Sequence, residues 1–119
     1  MSENLIAKLS MDFALRIVKL RNYLVDTKNE YVLSKQVLRS GTSIGANIYE
    51  SEMAQTKPDF ITKLHISLKE ANETKYWLEL LYRAEYIDKS QYESMNNDVS
   101  KITGTLVNII KKTKANVQQ

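Results

Sequence analysis

The side chains able to do chemistry in this 119-residue chain are few and poorly matched to one another. The single histidine, His65, has Thr62 three residues before it. The Glu-x-x-His pairs that a di-metal carboxylate bundle needs on two helices are therefore missing. There is no cysteine, so thiolate catalysis, thiolate metal sites and disulfides are excluded. Nothing beside His65 completes a nucleophile and base pair. Glu70 and Glu73 stand one helical turn apart, a spacing that serves solvent-facing acids or ion pairs, with Lys69, Lys75 or Arg39 as partners. The residues point to no enzyme, no cofactor and no metal.

The stretch RSGTSIGANIYE, Arg39 to Glu50, has the small-residue composition of a phosphate-gripping loop. A Walker loop needs a preceding strand and a Gly-Lys-Ser/Thr ending, so that amides and a lysine converge on the anion. Here Gly45 is followed by Ala46 and Asn47, and the glycine spacing also fails the dinucleotide fingerprint. Read as helix, the segment makes sense: Gly41 and Gly45 are four apart and Ser40 lies on the apolar stripe that continues through Ile44 and Ile48. Small residues there let another helix approach closely, at a propensity cost of about 1 kcal/mol per glycine.

On another face of that helix stand Arg39, Ser43 and Glu50, with Gln36 and Asn47 between them and the core stripe. This flank is either solvated or a hydrogen-bonded network to the third helix or to a neighbouring subunit. In the second case Arg39 could hold a carboxylate bidentately, and Glu73 is the expected partner.

The elements that would carry these residues are helices, because only three glycines and one proline punctuate the chain and no segment alternates like a strand. Phe13, Ile17, Leu20 and Leu24 predict a first helix from about Ser10 to Asp26, after a short lead of residues 1–9. The polar run Asp26 to Glu30 ends it. Leu33, Val37, Ser40, Ile44, Ile48 and Ser51 mark the second helix. Lys57-Pro58-Asp59 starts the third, with proline at its first position, and its stripe runs Phe60, Leu64, Ser67, Ala71, Thr74, Leu78, Leu81. After a short connection, Asp88 and Gln91 form a capping box, followed by Tyr92, Met95, Val99, Ile102, Leu106 and Ile109. Short connections predict an all-α, antiparallel, up-down-up-down four-helix bundle in one domain spanning 1–119.

The third helix carries more apolar surface than one stripe requires, because Ile66, Trp77 and Leu80 point away from the centre of its core face. Either the core face is wide or these residues form a subunit interface. The net charge of +3 is unevenly spread. Residues 1–98 hold 13 Lys and Arg against 14 Asp and Glu, whereas residues 99–119 hold Lys101, Lys111, Lys112 and Lys114 and no acid. Those lysines, in the basic C-terminal end 111–119, suit a helix C-terminus and could also contact nucleic acid. No signal peptide or membrane-spanning run is legible, which predicts a cytoplasmic protein with no membrane partner.

The string Gln36, Arg39, Ser43-Ile44, Asn47-Ile48 and Glu50, followed by Asp59-Phe60 and by Glu73, resembles the 23S rRNA intervening-sequence protein family, with its Q-x-x-R-x-x-x-S-I-x-x-N-I-x-E pattern. The likeness covers about Tyr31 to Ile87 and includes the stretch LLYRAEYI. Tyr49, Ser51, Lys69 and Glu70 depart from it, at positions where small residues are usual. The resemblance implies a bacterial four-helix bundle assembled as a ring of five subunits. Related accessory proteins of diversity-generating retroelements engage RNA and a reverse transcriptase. The expectation is an oligomeric RNA-binding protein whose candidate contacts are Lys111, Lys112, Lys114, Lys101, Arg39 and Lys35, with Arg16, Lys19 and Arg21 extending that surface. The alternative is a ring-shaped scaffold that recruits a protein partner without nucleic acid.

Overall fold

The computed structural model describes residues 2–118, with side chains from Leu5 to Asn116. Four helices follow in order: α1 (Ser2–Asp26), α2 (Leu33–Ser51), α3 (Lys57–Arg83) and α4 (Lys89–Gln118). Each packs on its neighbours in sequence, and α4 closes the square against α1, while the diagonal pairs stay apart. Cross-helix contacts give the direction. Ser67 Oγ donates to the Ile44 carbonyl at 2.9 Å, and Thr74 lies against Ser40. As α3 numbers rise α2 numbers fall, so the two helices are antiparallel. Each long helix runs much of the bundle's 52 × 22 × 20 Å length.

The core is the merged stripe of all four helices. Phe13, Ile17, Leu24, Val37, Ile44, Leu64, Leu78, Leu81, Val99 and Leu106 are all buried. Where α2 meets α3 the stripe turns to small hydroxyl residues, Ser40, Ser67 and Thr74, each essentially inaccessible. Thr74 Oγ1 is 3.0 Å from Ser40 Oγ and 2.8 Å from the Glu70 carbonyl. Thr74 has one hydroxyl proton, so when it serves the carbonyl, Ser40 donates to Thr74. Small side chains allow the close approach, and these bonds satisfy the polar atoms it buries.

Two boundaries differ from the sequence expectation. The expected lead 1–9 is helical from Ser2, because Ile6 and Ser10 continue the buried stripe before Phe13. Ser10 has the type of a cap but sits inside the helix, where its hydroxyl donates to the Ala7 carbonyl at 3.1 Å. At α3 the cap is Thr56, whose Oγ1 accepts from the Asp59 amide at 3.2 Å, which leaves Lys57 first and Pro58 second. The Asp88–Gln91 box is reciprocal: each backbone amide meets the other's side chain, at 2.8 and 2.7 Å.

In the connection after α1, Asn29 stands in the left-handed region (φ 54°), a conformation asparagine tolerates well. The chain then turns so that the buried Glu30 carboxylate faces the start of α2.

Candidate functional site

The α2–α3 flank is built from positions that share one side of α2. Arg39 reaches across to α3, where Nη1 lies 3.3 Å from Glu70 Oε2 and Nη2 contacts Glu73. The same Glu73 oxygen accepts from the Trp77 indole nitrogen at 2.9 Å. One guanidinium, two carboxylates and an indole therefore form a single cluster. Nearer the other end of the flank, Lys63 of α3 donates to Glu50 of α2 at 2.8 Å, and this bond holds the Lys63 ammonium above the ordinary lysine range.

Ser43 and Asn47 turn back on their own helix. Ser43 Oγ donates to the Arg39 carbonyl at 2.6 Å, and the Asn47 amide donates to the Ser43 carbonyl at 2.8 Å. Neither bonds α3. The flank can therefore clamp two helices together, and it offers no free base beside a nucleophile. His65 is exposed on α3, and among the described residues no cluster of three His, Cys, Asp or Glu could hold a metal ion.

The candidate cationic residues do not form one surface. Lys111, Lys112 and Lys114 are exposed on the last turns of α4, and Lys101 is exposed further back on the same helix. None of the four makes an ion pair among the described residues. Lys35 stands at the start of α2, the helix diagonal to α4, at the opposite end of the bundle. Arg39 is neutralised by its two carboxylates, and Arg16 is paired with Asp98. Lys19 and Arg21 on α1 are exposed and make no ion pair among the described residues, so the unpaired candidate cations stand on α1 as well as on α4.

Of the residues considered for an interface, Trp77 is half-buried against the edge of the core, Leu80 is partly exposed and Ile66 is 38% exposed. Two features lie outside the sequence-based expectation. One is Glu30, whose signal is that the first residues of α2 offer no side-chain cap. The other is the outer side of α1 and α2, where the exposed Met11 and Tyr49 line a groove of about 370 Å³ and Leu15 is exposed outside its lining.

Comparison with known proteins gives a consistent picture. The family model described as 23S rRNA-intervening sequence protein matches residues 2–108. A crystal structure of a protein of unknown function from the S23 ribosomal protein family of Bacteroides thetaiotaomicron VPI-5482 superposes with a TM-score of 0.93 at 59% identity. That match covers 93% of this chain and 99% of the other. No curated protein matches. Among the described residues no helix is long and apolar enough to cross a membrane.

Proposed function

The chain belongs to the 23S rRNA-intervening sequence protein family, and from that premise we propose that it is a non-enzymatic, cytoplasmic, oligomeric bundle protein that binds structured RNA through the C-terminal part of α4. A ring of five subunits is the assembly its resemblance implies. The observation that carries the RNA reading is the set of exposed lysines 101, 111, 112 and 114 in a segment with no acid. Three of them lie beyond residue 108, where the family match ends. In a closed ring of parallel subunits every C-terminus meets at one rim. A modest charge per chain then becomes a concentrated field able to attract phosphate.

Exposed lysines without aromatic partners recognise backbone and shape rather than base sequence. Affinity should therefore fall with salt on any structured RNA. The test is anisotropy of a labelled ribosomal RNA stem-loop titrated with nuclease-treated protein at several salt concentrations. Replacing Lys111, Lys112 and Lys114 together by Gln should weaken binding and lower the slope of log affinity against log salt by roughly 2 to 3, at about 0.7–0.9 for each phosphate left without its lysine. An unchanged slope removes the α4 lysines from the interface. No binding at low salt leaves a scaffold that recruits protein.

A further inference from the structure

At the end of the bundle where α1 and α3 stop, tyrosines gather around two adjoining cavities. The first, of about 360 Å³, lies between the end of α1 and the connection from α3 to α4, with Tyr23, Lys28, Tyr82, Tyr86 and Gln91 in its wall. The second, of about 340 Å³, follows the seam between α1 and α4 past Lys19 and Met95. Tyr23 and Gln91 line both, so the two form one groove with a partly exposed aromatic ring at its middle.

The groups around that ring have unspent capacity. Lys28 Nζ lies 6.0 Å from the centre of the Tyr23 ring. Lys19 stands one helical turn before Tyr23, and both lysines are exposed. Neither makes an ion pair among the described residues. Gln91 accepts from the Asp88 amide through its side-chain oxygen, which fixes the side chain and leaves its NH2 group to donate elsewhere. Tyr82 stacks on Tyr92 at 4.9 Å with 13° between the planes, so the far wall is also a held aromatic plane. Of the two carboxylates at the rim, Asp88 is engaged in the α4 cap and Glu85 is exposed.

We propose that this groove binds one nucleotide unit, its base stacked on Tyr23 and its phosphate held by Lys19. A flat ring with an anionic tail fits two unpaired ammonium groups beside an aromatic face, whereas the same ammonium groups repel a cationic ligand. The rise over the four residues from Lys19 to Tyr23 is about 6 Å, the reach from a base to its own phosphate. Lys28, beyond the ring, meets the next phosphate when the unit belongs to a strand. The site is separate from the α4 lysines: Gln91 and Lys111 are twenty residues apart on one helix, about 30 Å.

Fluorescently labelled tetra-adenylate and tetra-uridylate are too short to fold and serve as strand probes in anisotropy titrations, with AMP and UMP as free competitors. Tyr23→Ala should weaken binding about tenfold and Tyr23→Phe should keep it, as expected for a stacked base. Tyr23 packs against the core edge, so the exposed positions supply the second test. Lys19→Gln and Lys28→Gln should each lower the slope of log affinity against log salt by about 0.7. Displacement of the strand by AMP or UMP, unaffected by Lys28→Gln, assigns the groove to a free nucleotide. A bound strand that the monophosphates do not displace assigns it to an unpaired residue of RNA. Strand binding that the Tyr23 and lysine variants leave unchanged would overturn the site, as would no binding of strand or monophosphate. Replacing Lys111, Lys112 and Lys114 by Gln should weaken the stem-loop and spare the tetranucleotides, so the two sites can fail separately.

Discussion

A carboxylate buried at a helix start is expensive unless backbone amides surround it, and Glu30 has three. Oε2 accepts from Val32 and Leu33 at 3.2 and 2.9 Å, and Oε1 accepts from Ser34 at 2.7 Å. Burial alone raises the Glu30 carboxyl's titration point; the amides of Leu33, Ser34 and Val32 outweigh it, and the group titrates below the usual value of 4.5. The folded form thus holds its proton less tightly than the unfolded chain. Its contribution is complete above the usual carboxylate range and is lost as pH falls through the lower folded value. Glu30→Gln should cost about 1–3 kcal/mol at pH 7 in urea denaturation. The gap between variant and parent should narrow toward pH 3. A gap that is the same at both pH values would mean the charge contributes nothing.

At the scale of the helices, the three glycines separate packing from propensity. A Cβ at Gly41 would lie 2.7 to 2.9 Å from three side-chain atoms of Ile17, which is wholly buried and cannot move aside. Gly104 has nothing within 4 Å. Gly41→Ala should therefore lose about 1–2 kcal/mol, because overpacking outweighs the gain in helix propensity. Gly104→Ala should gain about 0.5–1 kcal/mol. Thermal melts of both variants decide this, and a stabilised Gly41→Ala would show that α1 and α2 can separate at no cost. These glycines also show why the fold was legible in the sequence. Apolar stripes run unbroken through Gly41 and Gly45, so the helical period survives the composition of a loop. The start of α1 was not legible, because Ser10 has the type of a cap while its hydroxyl is used inside the helix. The α2 flank could be recognised as a face, since its members share one side of a single helix. Which cation meets which acid across the gap depends on the register between helices, and one helix's spacing does not contain that. The Lys63–Glu50 pair and the exposed strip of Met11, Leu15 and Tyr49 are illegible in the sequence for this reason.

For the molecule as a whole, the RNA reading and the ring reading are coupled by multivalency. One chain offers four lysines from residue 101 onward on a single helix, and several chains holding one RNA raise the effective concentration of every later contact. Leu15→Glu tests the coupling. Leu15 is more than half exposed, so the change should leave helicity intact while placing a charge in the apolar strip. It should yield a smaller species by light scattering and weaken stem-loop binding at least tenfold at near-physiological salt. Unaltered affinity in a dissociated protein would mean that one chain suffices. The cluster that joins α2 to α3 has a different use. Trp77 is the chain's only tryptophan, and its ring nitrogen shares Glu73 with Arg39. Its ultraviolet emission therefore originates beside the joint between two helices, and Tyr76 stands edge-on at 5.0 Å. The protein thus carries an optical gauge of the α2–α3 joint, readable in unlabelled solution.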